Sequence, residues 1–198
     1  MGYYIRLLTP SEKIVPFHKI KKKLKSIKLV EGKDEKWNLI ELYDSNDRLI
    51  AVAKRNPVSK GGLAEEELKE FEEEIDDYYP ESAGNWLKKY FKKVKTIYAF
   101  QIFTSTITKD GWDLLDKLRE FLHEQLSGII QADNEGFSNE EGYHILWQFS
   151  EDVSGEFEMA TLNEKGEWIT YKIDLSDKKA VEMFKKGIIP KKSRRRRK

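Results

Sequence analysis

The chain of 198 residues contains no cysteine, and this absence removes several kinds of chemistry. Disulfide bridges, thiolate zinc sites and cysteine nucleophiles are all excluded. Because a protein without disulfides suits a reducing compartment, we expect it to be cytoplasmic.

Long apolar runs are missing as well. No window approaches the roughly 18 uncharged apolar residues of a membrane-spanning helix, so we expect no membrane association. The first ten residues lack the apolar core of a signal peptide, so we also expect no cleaved leader.

Motifs for cofactors and catalysis are absent too. The sequence has no phosphate-binding loop, no dinucleotide fingerprint and no serine nucleophile elbow. Its three histidines lack the i, i+4 pairing of a helical zinc site. We therefore expect no cofactor and no metal ion, and we favour a protein without catalytic activity.

Aromatic and charged residues are plentiful. Phe, Trp and Tyr make up 12% of the chain and apolar residues 39%, enough to build a core. Charged residues reach 36%, well above the roughly 25% that is typical of globular proteins. The sequence therefore predicts a folded body with a heavily charged surface.

The charges are distributed unevenly along the chain. Residues 191–198 carry seven positive charges, and without them 29 basic residues face 35 acidic ones, a formal charge of −6. Such a basic segment cannot bury apolar surface. We expect residues 1–190 to form a single folded body and 191–198 to be a disordered tail. A division of the body into two lobes near residues 104–108 is the alternative.

Apolar periodicity and turn residues predict about five helices and about nine short strands. Ser176 is the expected N-cap of the last helix. Hairpins outnumber strand–helix–strand units, which predicts an α+β fold with a mainly antiparallel sheet. The predicted helices cover residues 11–25, 63–78, 82–93, 108–126 and 177–186. Eight of the strands can be assigned, to residues 3–8, 36–43, 48–54, 95–103, 129–132, 143–149, 156–162 and 168–173.

The helix predicted over residues 63–78 is exceptionally acidic. Ten acidic residues fall between Glu65 and Glu81, around a regular apolar stripe. Such a face is typical of a solvated surface, and it also suits docking of a basic protein. Our first hypothesis is a non-catalytic module of the immunity or adaptor type. Its candidate partner-binding residues are Glu66, Glu70, Glu73, Glu74 and Asp77.

Basic residues give a second hypothesis, an association with nucleic acid. Lysines and aromatic residues alternate between residues 86 and 95, as in a phosphate track lined by stacking platforms. At helical spacing the same aromatic residues would face the core instead. The polybasic tail can also contact phosphates without sequence preference. The candidate residues are Lys88, Lys89, Lys92, Lys93, Arg194, Arg195, Arg196 and Arg197.

A third hypothesis concerns residues 133–144, where four carboxylates precede a histidine. The spacing does not match a calcium-binding EF-hand loop. A carboxylate beside an imidazole can perform acid–base chemistry, so Asp133, Glu135 and His144 are candidate catalytic residues of an undetected hydrolase. An ordinary connection between strands with a structural histidine is the simpler interpretation.

Overall fold

The computed structural model describes residues 2–104, 107–149 and 153–190. Within these ranges the protein has five α-helices and nine mostly antiparallel strands, so the predicted α+β class is confirmed. The predicted tail, residues 191–198, lies outside the described residues. None of the helices in the described ranges combines the length with the apolar character that crossing a bilayer requires.

The elements follow one another along the chain with one 3₁₀ turn, Ile75–Asp77. In chain order they are β1 (Tyr3–Thr9), α1 (Phe17–Lys23), β2 (Ile27–Lys33), β3 (Lys36–Tyr43), β4 (Leu49–Pro57), α2 (Leu63–Glu74), α3 (Glu81–Phe91), β5 (Thr96–Ile102), α4 (Lys109–Leu126), β6 (Ile129–Ala132), β7 (Gly136–Ser138), β8 (Glu156–Leu162), β9 (Trp168–Asp174) and α5 (Lys178–Lys185).

The chain divides into two compact units. Unit 1 comprises Met1–Glu65 and Val94–Gly128, and unit 2 comprises Glu66–Lys93 and Ile129–Lys198. The prediction of a single body, or of two lobes that divide near residues 104–108, stays a prediction.

Unit 1 is built around five hydrogen-bonded strands in the order β2-β3-β4-β5-β1, each antiparallel to its neighbour. Strand β5 lies between β4 and β1 and is buried at six of its seven positions. Helix α4 buries one apolar stripe of leucines, as its periodicity predicts. The buried leucines are Leu115, Leu118, Leu122 and Leu126.

Unit 2 contains most of α2, together with α3, the β6–β7 and β8–β9 hairpins and α5. Phe71, Phe91 and Phe137 pack together with ring centroids 5.4 to 6.2 Å apart. A second apolar cluster holds α5 against β8 and β9. It contains Met159, Tyr171, Ile173, Leu175, Ala180, Val181 and Phe184.

The predicted helix over residues 11–25 is wrong in its extent, because α1 begins only at Phe17. Its first turn is held by Asp34, far away in sequence. The Asp34 carbonyl accepts from the Phe17 amide at 2.9 Å, and Asp34 Oδ1 accepts from the His18 amide at 2.6 Å. Since the capping groups are supplied from the turn between β2 and β3, no local sequence pattern marks the start.

Three other local predictions also need correction. Strand β2 was not predicted, because its lysines extend the run of lysines in the predicted helix before it. Residues 143–149 form only isolated bridges at His144 and Trp147, whereas β7 lies inside the predicted acidic loop. Ser176 does not cap α5. Asp177 does, since its side chain accepts from the amides of Lys179 and Ala180.

Candidate protein-docking surface

Helix α2 has a buried side that fixes the orientation of its acidic residues. Leu68, Phe71 and Ile75 recur at spacings of three and four and are at most 8% exposed. At the start of the helix, the Gly61 amide donates to Glu65 Oε2 at 2.7 Å. Because the apolar stripe anchors one side, residues on the opposite side must face solvent.

Five carboxylates lie on that opposite side, and we call them the acidic face: Glu66, Glu70, Glu73, Glu74 and Asp77. Glu66, Glu70, Glu73 and Glu74 follow the spacing i, i+4, i+7 and i+8, which places them within an arc of about 100° on α2. Asp77 lies in the 3₁₀ turn that continues the helix. All five are exposed. Within the described part of the chain, none of the five makes a hydrogen bond or an ion pair. The structure thus gathers the predicted partner-binding residues on one open surface.

Asp76 lies beside the acidic face, but its negative charge is already paired with a lysine. Both of its carboxylate oxygens accept from Lys88 Nζ, at 2.6 and 2.7 Å. At this position a lysine of α3 relieves part of the repulsion among the acidic residues. The pair also removes Lys88 from the set of free candidates for nucleic-acid binding.

The other basic candidates on α3 and just after it differ from Lys88. Lys89, Lys92 and Lys93 are exposed and have no hydrogen bond or ion pair with other described residues. Arg194, Arg195, Arg196 and Arg197 lie outside the described residues.

Of the aromatic residues interleaved with these lysines, Tyr90 and Phe91 are buried and Trp86 is half-buried. Trp86 stacks on Tyr90 with ring centroids 5.0 Å apart and meets Trp168 edge-on at 5.1 Å. The Tyr90 hydroxyl donates to Glu140 Oε1 at 3.1 Å, and burial raises the pKa of that hydroxyl. Since Tyr90 and Phe91 are buried, their rings offer no stacking platform for bases.

His144 is held inside unit 2 by its backbone and by aromatic rings. Its amide donates to the Glu158 carbonyl at 3.0 Å, and its carbonyl accepts from Ala160 at 2.8 Å. The rings of Phe149 and Phe157 each lie 5.1 Å from the imidazole, centroid to centroid. The imidazole of this half-buried candidate base thus packs against two aromatic rings.

The electrostatics of His144 follow from that packing. Its Nδ1 atom is buried without a hydrogen-bond partner among the described residues. Burial lowers the pKa of His144, and the charge of Glu135 opposes that shift. The catalytic role of Asp133, Glu135 and His144 stays a prediction.

One further group of ionisable side chains has no signal in the sequence. His18, Asp34 and Glu35 each offer a ligand atom, and these atoms lie within 4.8 Å of one another. The His18 Nδ1 atom is 2.6 Å from Asp34 Oδ2, and this hydrogen bond is the main cause of the lowered pKa of Asp34. The side chains of His18 and Asp34 are 60% and 42% exposed. Since Asp34 also caps α1, the capping contact already accounts for the closeness of His18 and Asp34.

Comparisons with known proteins add no assignment. No family model matches the chain, and neither a curated protein nor a solved structure matches it. The function is therefore argued from the residues of this chain.

Proposed function

We propose that this protein is a non-catalytic binding module whose acidic face docks a basic segment of a protein partner. The observation that carries the proposal is the acidic face itself. Five exposed carboxylates lie directly opposite the buried side of α2, without a partner in the described part of the chain.

The energetics of α2 support this assignment. Like charges at i, i+3 and i+4 each cost roughly 0.2–0.5 kcal/mol in a helix. A cationic partner removes that repulsion when it binds. Complementary charge also accelerates encounter and disfavours acidic competitors. We therefore expect binding to be fast and to weaken as salt shortens the Debye length from about 10 Å at 0.1 M.

The test uses two triple variants that change the net charge equally. E66K/E73K/D77K reverses the acidic face, whereas D113K/E120K/E124K reverses three exposed carboxylates on α4 with the same i, i+7, i+11 spacing. Each variant replaces two glutamates and one aspartate. The wild-type chain and both variants are used as bait for affinity purification from cells that naturally produce the protein.

We expect a basic partner to be retained by the wild-type chain and the α4 variant, and to be lost by the variant of the acidic face. Circular dichroism on all three chains verifies that each is folded. If the partner binds all three chains equally, or if every captured partner is acidic, the acidic face is not the docking surface.

Nucleic-acid binding is the second candidate, and the exposed lysines Lys89, Lys92 and Lys93 favour it. This function predicts that log Kd for mixed RNA rises with log salt, with a slope that reports the number of phosphate contacts. K89Q/K92Q/K93Q should reduce that slope by about three. A slope that stays unchanged in this variant would exclude the three lysines from the interface.

A further inference from the structure

His18, Asp34 and Glu35 bring one imidazole and two carboxylates together in unit 1. His18 is the second residue of α1, and Asp34 and Glu35 form the turn between β2 and β3. Each side chain offers a ligand atom, and these atoms lie within 4.8 Å of one another. The group therefore combines a nitrogen donor with oxygen donors, whereas the acidic face consists of carboxylates alone.

Asp34 is oriented by the cap that it provides for α1. Its Oδ1 atom accepts from the His18 amide at 2.6 Å, and its carbonyl accepts from the Phe17 amide at 2.9 Å. The Oδ2 atom of the same carboxylate lies 2.6 Å from His18 Nδ1. Because the cap uses Oδ1, Oδ2 can bind an ion without loss of the cap. A hydrogen bond that fixes the direction of a ligating carboxylate is a regular feature of metal sites.

Glu35 has no part in the cap, which needs only Asp34. Its ligand oxygen nevertheless lies within 4.8 Å of the ligand atoms of His18 and Asp34. Two carboxylates at this separation repel each other, and a cation bound between them replaces the repulsion with attraction. The position of Glu35 is therefore the part of the group that the cap does not require.

The separations suit a small divalent ion after a minor adjustment. Zinc binds histidine nitrogen at about 2.0–2.1 Å and carboxylate oxygen at about 2.0–2.2 Å, so tetrahedral ligand atoms lie about 3.4 Å apart. The Glu35 side chain is exposed and can move closer. The side chains of His18 and Asp34 are 60% and 42% exposed, so an ion can enter from solvent and water can complete its coordination.

We propose that His18, Asp34 and Glu35 bind a divalent transition-metal ion such as Zn²⁺. The imidazole favours such an ion over Mg²⁺ and Ca²⁺, which prefer oxygen ligands. The ion takes the place of the proton between His18 Nδ1 and Asp34 Oδ2, and this proton passes to solvent. The bound ion joins the start of α1 to the β2–β3 turn, so it stabilises the folded state of unit 1.

Titration of the metal-free, full-length chain with Zn²⁺ tests this site directly. Calorimetry should show one ion bound per chain in the wild type. E35Q removes a ligand that the cap does not use, so it should weaken the affinity by about tenfold or more without loss of the fold. E120Q replaces an exposed glutamate of α4 and should leave the affinity unchanged. Circular dichroism on each chain verifies folding.

Two further variants separate the metal site from the cap. D34N keeps Oδ1 as an acceptor for the His18 amide but replaces the oxygen that faces the imidazole. H18Q removes the nitrogen ligand. Each should weaken Zn²⁺ binding by about tenfold or more. Zn²⁺ should also raise the Tm of the wild type and of E120Q, and should leave the Tm of E35Q nearly unchanged.

A measurement on the wild type alone locates the ion. Co²⁺ added to an ¹⁵N-labelled sample should broaden the amide signals of residues 17–20 and 34–36 before any others, and a large excess of Mg²⁺ should not restore them. If the wild type binds no Zn²⁺, if E35Q, D34N and H18Q bind it as tightly as the wild type, or if Mg²⁺ displaces Co²⁺, the inference is overturned.

These outcomes are independent of the docking function, since none of the three ligands belongs to the acidic face. If Zn²⁺ binds as expected while E66K/E73K/D77K captures the same partners as the wild type, the metal site stands and the docking function fails. If the partner requires the acidic face but E35Q binds Zn²⁺ as the wild type does, the docking function stands and the metal site fails.

Discussion

At His144, burial and the charge of Glu135 shift the pKa in opposite directions, and burial is the larger cause. Its buried Nδ1 atom has no partner among the described residues, and burial lowers the pKa of the imidazole in the folded state. The unfolded chain has a histidine pKa of about 6.5. As pH falls below that value the unfolded chain takes up a proton first, so the free energy of unfolding decreases.

We predict that stability is highest above about pH 6.5 and declines as pH falls toward the folded-state pKa of His144. Replacing the imidazole in H144Q should flatten this dependence, whereas H18Q, which keeps His144, should retain it. Urea unfolding followed by tryptophan fluorescence at a series of pH values measures both. The same slope in H144Q and wild type would mean that other groups cause the loss of stability.

The turn after α4 requires glycine at position 128, because of both its backbone conformation and the space around it. Its φ is +138°, and a Cβ atom there would lie 2.5 Å from the Leu8 carbonyl oxygen. Gly166 also has a positive φ, +77°, but a Cβ atom there would meet nothing within 4 Å. A comparison of substitutions at Gly128 and Gly166 therefore separates the cost of a positive φ from the cost of a steric clash.

We predict that G166A costs about 1 kcal/mol of unfolding free energy, from φ alone. G128A should cost about 3 kcal/mol or more, because the backbone of β1 must also shift. Urea denaturation of both variants gives the comparison. Equal losses would show that the contact with Leu8 is relieved without cost.

Individual residues also show which features could be predicted from the sequence and which could not. A helical wheel could predict that Leu68, Phe71 and Ile75 are buried and that the acidic face is exposed, because periodicity determines both. The cap of α1 by Asp34 could not be predicted, since it joins residues that are distant in sequence. The same holds for the ion pair between Asp76 and Lys88, which depends on the packing of α3.

At the level of elements, long periodic helices and the strands β6, β8 and β9 were predicted close to their observed bounds, whereas β2 and β7 were missed. Helices α2, α3, α4 and α5 each have an apolar stripe that fixes their type. Strand β2 has charged residues at three of its seven positions and gains its identity from pairing with β3. Strand β7 has only three residues, and its pairing with β6 defines it.

Helix α2 is also where stability and binding should conflict. Glu70 has acidic neighbours at i−4, i+3 and i+4, so E70K replaces repulsion with attraction along the acidic face. We predict that E70K raises the free energy of unfolding by about 1 kcal/mol and weakens binding of a basic partner. E70Q should show a smaller gain in stability.

Thermal unfolding and a binding titration on the same samples check this prediction. A gain in stability with unchanged binding would mean that the acidic residues serve only as a solvated surface. A loss of stability would mean that Glu70 makes a favourable contact that the structure does not show.

At the level of the whole molecule, the sequence separates charge into an acidic body and a basic end. Net charge alone could attract a basic partner to any acidic surface. A docking surface on α2 and the 3₁₀ turn after it is a more specific explanation, because it assigns binding to five residues of one short segment. The two triple variants distinguish these explanations, since each changes the net charge by the same amount.

The most direct test of the docking surface is the Kd of an arginine-rich peptide for a chain whose own tail is neutralised. R194Q/R195Q/R196Q/R197Q provides that chain, and E66K/E73K/D77K or D113K/E120K/E124K is added to it. Calorimetry at low salt should show affinity weakened by about tenfold or more in the acidic-face variant, equivalent to about 1.4 kcal/mol. The α4 variant should lose far less. Equal losses in both variants would show that net charge attracts the peptide, and would contradict a docking surface on α2.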